Sequence, residues 1–145
     1  MWGGGLETSR HACHTFFDAC FFRQAAVADA VVNARLNGVA NTSFVAGKAE
    51  AVLPTELRKC STPRAVAIVD PPRAGLHRSV VGALRSTPGL TRLVYIACSP
   101  DSLARDGAML CGARGPGKPF VPVRAAAVDL FPHTSCVEAV MLLER

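Results

Sequence analysis

Three short segments of the sequence carry side chains that could take part in a chemical reaction. Asp70 precedes two prolines and an arginine, Cys98 precedes Ser99-Pro100, and a third polar segment spans residues 129–138. A cysteine just before a helix can act as a nucleophile because the helix dipole favours its thiolate, and a carboxylate can accept a proton. These residue types indicate a site that combines a thiol with carboxylates, but their spacing alone does not name a reaction.

The elements around these segments predict a layered α/β fold. Apolar, β-branched runs predict strands buried on both faces over 64–69 and 92–97, each ending directly before one of the segments. The pattern further predicts helices over 24–37, 49–60 (with a break at or near Pro54), 76–85 and 101–110, and strands over 43–46, 120–128 and 137–143. Helices that alternate with strands favour a largely parallel sheet, whose ligands bind at the carboxyl ends of the strands. We therefore expect Asp70, Cys98 and Glu138 on one rim.

The amino-acid composition is typical of a chain that folds. Its 145 residues predict one domain, and 50% hydrophobic with 19% charged residues excludes a disordered tail. Its apolar stretches are shorter than the roughly 18 residues of a membrane-spanning helix, so we expect no membrane association. None of the 6 cysteines forms a CxxC pair, so no metal site is predicted. Free thiols and no signal peptide favour an intracellular protein, with cytosol, nucleus and mitochondrion all open.

The three segments together resemble the ordered motifs of the RNA (uracil-C5) methyltransferases. They read VDPPRAGL over 69–76, VYIACSP over 94–100 and DLFPHTSCVE over 129–138. The resemblance is closest to the animal tRNA (uracil-5-)-methyltransferase homologues and covers residues 24–145. It implies a Rossmann-like sheet, S-adenosylmethionine as cofactor and RNA, tRNA in particular, as substrate. By this resemblance, residues 24–145 are the carboxyl-terminal part of a catalytic domain, and 1–23 are an atypical or loose segment.

The resemblance also gives two rim residues their roles. Carbon 5 of uracil is a poor nucleophile, but a thiolate that adds to carbon 6 turns the ring into an enolate that can attack a methyl sulfonium. Cys98 matches the nucleophile of the family, and Glu138 matches the base that removes the carbon 5 proton so that the thiol can leave. Without the flanking motifs, Cys98 would be interpreted as a buried structural thiol and Glu138 as a solvent-facing strand residue.

Further site residues follow from the same resemblance. Asp70 matches a residue that contacts the cofactor, although a turn residue before a helix has the same sequence signal. Pro71 and Pro72 would hold the loop rigid so that its backbone faces the target base. Arg73 would contact an RNA phosphate or point to solvent. Glu50 would lie near the adenine end of the cofactor or serve only as a carboxylate in the first turn of a helix.

Two family features are not found in the sequence: the glycine-rich turn after the first strand and the acidic residue that binds the ribose. The sheet is therefore expected to have its amino-terminal strands missing or replaced, with 16–22 filling one place. That loss would separate the strand at Ser43 from the strand at Ala65 and leave edges unpaired. Two functions remain open: methylation of uridine C5 in RNA through Cys98, or a non-catalytic RNA-binding or interaction fragment. The ten basic and six acidic residues of 64–145 suit RNA in both.

Overall fold

The computed structural model describes residues 17–21 and 24–145. Most of the expected loose segment 1–23 therefore lies outside the described residues. The chain forms two compact units, one up to Gly47 and one from Lys48 to Arg145. No helix in these described ranges has the length and apolar character needed to cross a membrane.

The first unit contains a two-stranded parallel sheet and one helix. Its elements are β1 (Phe17–Phe21), α1 (Gln24–Leu36) and β2 (Thr42–Ala46). Helix α1 ends because Gly38 adopts a φ of 67°, a left-handed conformation that favours glycine. The amides of Gly38 and Val39 donate hydrogen bonds to the carbonyls of Arg35 and Ala34, at 3.1 and 2.9 Å. This closure confirms the helix stop that the sequence predicts at Gly38.

The second unit contains a four-stranded sheet and three helices. Its elements are α2 (Ala49–Lys59), β3 (Ala65–Val69), α3 (Arg78–Ser86), β4 (Leu90–Ala97), α4 (Pro100–Cys111), β5 (Val121–Val128) and β6 (Glu138–Glu144). The strand order is β3-β4-β6-β5. Strands β3 and β4 are parallel, whereas β6 is antiparallel to both β4 and β5. The expectation of a largely parallel sheet is therefore wrong for this unit, since residues 129–137 join β5 to β6 without a crossover helix.

The core of this unit lies between the sheet and helices α3 and α4. Helix α3 contributes Val80, Val81 and Leu84, and β4 contributes Leu90, Leu93, Tyr95 and Ala97. Leu103, Leu110, Phe120 and Leu143 complete the buried cluster. Burial of these side chains supplies the main driving force for folding and makes β4 the central strand.

Two sequence expectations need correction. Strand β3 was expected to be buried on both faces, but Val66 and Ile68 are 56% and 62% exposed. The reason is that only the face of β3 with Ala65, Ala67 and Val69 packs against the core, and the alternate residues Val66 and Ile68 lie on the other face. Pro54 was expected at a break, but α2 continues through it. Its neighbours Leu53 and Leu57 pack against the core, and this tertiary contact offsets the local cost of proline.

The expected separation of two strands is confirmed. Strand β2, which contains Ser43, pairs with β1 in the smaller sheet, whereas β3, which begins at Ala65, lies at the edge of the larger one. The residues from 17 to 21 thus fill one of the two strand places that the family pattern leaves open.

Arg145 forms hydrogen bonds at the carboxyl end of helix α3 and links it to β4. Its guanidinium donates to the carbonyls of Leu84, Arg85 and Thr87, and its Nε donates to Leu90 O at 2.7 Å. A cation at these carbonyls stabilises the negative end of the helix dipole. Burial, and then the charge of Arg85, lower the pKa of Arg145.

Replacing Arg145 by alanine is expected to lower the free energy of unfolding by about 2–4 kcal/mol, because the helix-end carbonyls lose a charged donor. Urea titration followed by circular dichroism measures this change. Arg64→Ala, at an exposed arginine just before β3, is the control and should stay within about 0.5 kcal/mol of the unchanged chain. Equal losses in the two variants would contradict the helix-end role.

Candidate active site

The antiparallel pairing of β4 with β6 brings Cys98 next to Glu138. The last pair of the ladder is Ala97 with Ala139. Cys98 directly follows Ala97 and Glu138 directly precedes Ala139, so both residues lie at this end of the β4–β6 ladder. The two residues that the sequence assigns to nucleophile and base therefore share one end of the sheet.

The parallel pairing of β3 with β4 brings Asp70 to the same end. Val69 is the last residue of β3 and pairs with Tyr95, so Asp70 leaves the sheet beside the carboxyl end of β4. The structure thus places Asp70, Cys98 and Glu138 on one rim of the second unit, in agreement with the spacing argument. This agreement concerns position, and the chemical roles remain predictions.

Cys98 is accessible at this rim. Leu93, Tyr95 and Ala97 of β4 are fully buried on one face, and Cys98 continues the opposite, half-buried face. Helix α4 begins two residues later at Pro100. Its cap residue Ser99 makes no side-chain cap bond. The sulfur therefore lies near a helix amino terminus, at the surface and outside the aliphatic core.

The loop after β3 has a buried base and an exposed tip. Pro71 is buried, whereas Asp70, Pro72 and Arg73 are exposed. Gly75 closes the loop with a φ of 79° and donates its amide to Pro72 O at 2.8 Å. Pro71 thus anchors the loop in the second unit, and Asp70, Pro72 and Arg73 are open to solvent.

The loop before β6 is ordered by its own polar groups. Asp129 Oδ1 accepts from the amide of Phe131 at 3.2 Å. The carbonyl of Phe131 accepts from both the amide and the hydroxyl of Thr134, at 3.1 and 2.8 Å. His133, with a φ of 68°, occupies the position of this turn that favours glycine, after Pro132. The backbone strain at His133 shows that the turn shape is fixed by its surroundings.

Glu138 is the half-buried first residue of β6, directly after this exposed loop. It pairs with Val128 at the end of β5. Its backbone is therefore held by β5 on one side, and the next residue, Ala139, pairs with Ala97 of β4 on the other. Such a position suits a group that must exchange a proton with a bound ligand.

The other predicted residues lie at the surface. Glu50 is exposed in the first turn of α2, and Arg73 is exposed on the loop after β3. Exposed carboxylates at Asp70 and Glu50 fit the ammonium and hydroxyl groups of S-adenosylmethionine. Within residues 24–145, however, no strand is followed by a turn with more than one glycine. The donor set therefore fits the cofactor in part.

Two cavities have linings that do not include the rim residues. One of about 290 Å³ is lined by Arg85, Ser86, Pro88, Gly117, Lys118 and Arg145. The other, of about 440 Å³, lies between α1 and β2 in the first unit. Cys98, Glu138 and Asp70 line neither of these, so the candidate site is distinct from both.

A buried polar network beneath the rim was missed by the sequence reasoning. Asp106 of α4 is 0% exposed and accepts at Oδ2 from Tyr95 Oη and from the amide of Leu76, both at 2.6 Å. A signal was present in the sequence. Asp106 stands three residues after Leu103 and four before Leu110, the spacing of a buried helix face, so it occupies a core position of α4.

Burial, followed by the hydrogen bond and the charge of Asp106, raises the pKa of Tyr95, the only tyrosine of the chain, above its ordinary value of about 10. Above pH ~10 the unfolded chain loses this proton and the folded chain keeps it, so stability should fall by up to about 1.4 kcal/mol per pH unit. Phenolate absorbance and urea titrations at rising pH measure both effects.

The control for this loss of stability at alkaline pH is Tyr95→Phe, which removes the titrating group. Its free energy of unfolding is expected to be lower than that of the unchanged chain at pH 8, since Asp106 loses a donor, and to vary less with pH above about 10. A phenolate that forms near its ordinary pKa in the folded chain would contradict the expected shift.

The chain has the fold of the Rossmann-like methyltransferases, as the sequence predicts. Among solved structures, it is similar to an rRNA methylase from Streptococcus thermophilus with a TM-score of 0.61 at 15% identity, over 88% of this chain and 72% of that one. Residues 19–145 match the family model described as tRNA (uracil-5-)-methyltransferase. The chain belongs to this family of RNA methyltransferases, which confirms the resemblance drawn from the three segments.

Two curated relatives give the extent of the match. The chain is 46% identical over 123 residues to human tRNA (uracil-5-)-methyltransferase homolog A, covering 83% of this chain and 20% of the relative. It is 48% identical over 129 residues to the zebrafish tRNA (uracil-5-)-methyltransferase homolog B, covering 84% and 27%. The chain thus spans about a fifth to a quarter of the length of these relatives.

Proposed function

We propose that this chain carries the reacting residues for methylation of uridine C5 in RNA, with tRNA as the substrate class. The observation that supports the proposal is the pairing of Ala97 with Ala139, which puts their chain neighbours Cys98 and Glu138 at one end of the ladder, on the rim that Asp70 shares. A thiol and a carboxylate on one rim can act on adjacent carbons of one pyrimidine ring. The family to which the chain belongs supports RNA as the substrate and an intracellular place of action.

The Cys98 thiolate adds to carbon 6 of the uracil ring. The Sγ–C6 bond forms, and the electrons of the C5–C6 double bond move to the carbonyl at carbon 4, so that carbon 5 becomes nucleophilic. S-adenosylmethionine, when bound, supplies the electrophilic methyl group that carbon 5 takes. Asp70 and Glu50 would hold this cofactor. Glu138 then removes the carbon 5 proton, the double bond reforms, and the Sγ–C6 bond breaks to return the thiolate.

The exposed surface at the rim suits a polymeric substrate. Pro72 and Arg73 project from the loop after β3, and Phe131 is 48% exposed on the loop before β6. An arginine can bind a phosphate, and an aromatic ring can stack on an unpaired base. These groups would hold the RNA while the target uracil reaches Cys98.

The proposal is tested with RNA that carries tritium at carbon 5 of uridine, without cofactor. Addition of Cys98 to carbon 6 lets carbon 5 take a solvent proton, and loss of the original hydrogen to Glu138 then releases tritium to water. We expect RNA-dependent tritium release from the chain. A chain that binds the RNA and releases no tritium above background would overturn the proposed chemistry.

A second candidate function is a non-catalytic RNA-binding or interaction fragment. Two observations favour this function. The chain spans only about a fifth to a quarter of the length of its relatives, and its residues fit S-adenosylmethionine only in part. Calorimetric titration with S-adenosylmethionine and a denaturing gel after incubation with 5-fluorouridine RNA and cofactor separate the two. Fluorine at carbon 5 blocks elimination, so a catalytic chain stays bonded to the RNA, whereas a binding fragment gives only a complex that denaturation disperses.

A further inference from the structure

Asp106 is a buried charge that is bonded to three separate parts of the second unit. Its Oδ2 accepts from the amide of Leu76 and from Tyr95 Oη, and its Oδ1 accepts from Arg105 Nε at 3.3 Å. A carboxylate is removed from water only at a large cost unless charge-assisted bonds replace the lost hydration. Asp106 receives three donors, and these replace the hydration that its carboxylate loses on burial. The burial of this carboxylate is therefore a specific structural feature and not an incidental one.

These bonds connect the two sides of the candidate site. Tyr95 lies on β4 three residues before Cys98, and Asp106 lies on α4, the helix that begins two residues after Cys98. Leu76 ends the loop that starts at Asp70. One carboxylate thus joins the strand and helix that hold the thiol to the loop that holds Asp70.

The end of this loop is clamped by further contacts. Arg105 Nη2 donates to the carbonyl of Ala74 at 2.5 Å. Gly75 packs so closely on Arg105 and Asp106 that a Cβ atom at this position would collide with both side chains. The loop therefore has little freedom to move relative to α4 while these bonds are intact.

We propose that Asp106 is a positioning residue for the reaction and that it fixes the loop of Asp70 relative to Cys98. This inference rests on the proposed function. Reacting atoms must approach within about 3–3.5 Å, and a displacement of about 1 Å can lower a rate about 100-fold. Because Asp106 is fully buried, it acts through its bonds to Leu76 and Tyr95.

The test is Asp106→Asn in the 145-residue chain, assayed by tritium release over a range of RNA concentrations. Asparagine keeps the size of the side chain but loses the charge that orders the three donors. We expect the rate at saturating RNA to fall about 100-fold. The RNA concentration at half-saturation should change less than about twofold, because the contacts to RNA lie elsewhere. A merely structural role would instead lower the folded fraction measured by circular dichroism and leave the rate per folded molecule unchanged.

Asp29→Asn is the matched control, since Asp29 is an exposed aspartate of α1, and it should leave the rate unchanged. If Asp106→Asn does not fold, Tyr95→Phe decides the question, because it keeps the buried charge and the Leu76 bond and should lower the rate about tenfold. A rate per folded molecule within twofold of the unchanged chain in the deciding variant overturns the positioning role alone. No tritium release from the unchanged chain overturns the proposed function and this role together.

Discussion

Replacing Cys98 by alanine should reduce tritium release from uridine-labelled RNA to background, a loss of at least about 1,000-fold. The reason is that the proposed reaction assigns the bond to carbon 6 to the sulfur of Cys98, and without that bond carbon 5 does not exchange its hydrogen. Cys98→Ser should be equally inactive, because a serine hydroxyl is far less acidic than a thiol and no base has been assigned to it. Scintillation counting of released water measures the effect.

The controls for this prediction are two other cysteines. Cys60 is half-buried just after α2, and Cys136 is exposed in the loop before β6. Cys60→Ser and Cys136→Ser should each retain tritium release, since neither sulfur is placed to attack the ring. Loss of activity in Cys136→Ser with full activity in Cys98→Ser would move the nucleophile to the other loop and contradict the assignment.

Replacing Glu138 by glutamine is expected to separate two steps that Cys98 variants abolish together. An amide cannot accept the carbon 5 proton, so tritium release should fall about 100- to 10,000-fold. In 5-fluorouridine RNA there is no proton at carbon 5 to remove. The denaturation-resistant complex with this RNA, formed in the presence of cofactor, should therefore appear as in the unchanged chain. A denaturing gel and the tritium assay, run on the same preparations, give both results.

Glu144→Gln provides the matched control, because Glu144 is the same residue type at the opposite end of β6. It pairs with Arg92 at 2.8 Å across the strands, and this exposed ion pair contributes at most about 1 kcal/mol to stability. Tritium release should be unchanged. If Glu138→Gln released tritium as fast as Glu144→Gln, another group would have to serve as the base.

The predictions from sequence were accurate where local chemistry decides the structure. The sequence placed β3, β4 and the end of α1 at Gly38 within about two residues of their positions in the structure. Strand propensity and the left-handed conformation of glycine depend on only a few adjacent residues, so they can be predicted locally. The start of α3 was also placed two residues from its position in the structure. The sequence predicts its start at Leu76, but the helix begins at Arg78, where the ring of His77 caps the amide of Ser79 at 3.2 Å.

Expectations failed where distant parts of the chain decide the outcome. Whether β3 is buried on both faces depends on which elements pack on each face of the sheet, and only the face with Ala65, Ala67 and Val69 packs against the core. The direction of β6 follows from the loop that joins it to β5. Asp106 was missed because its burial depends on Tyr95 and Leu76, which reach it from another strand and another loop.

The sequence by itself determined which groups are available: a thiol before a helix, an acidic loop stiffened by two prolines, and a glutamate after a polar turn. These are short-range patterns, and their order along the chain was enough to identify the family. Only the tertiary structure decided that Cys98 and Glu138, forty residues apart, stand at one end of the sheet, because strand register is set by long-range pairing.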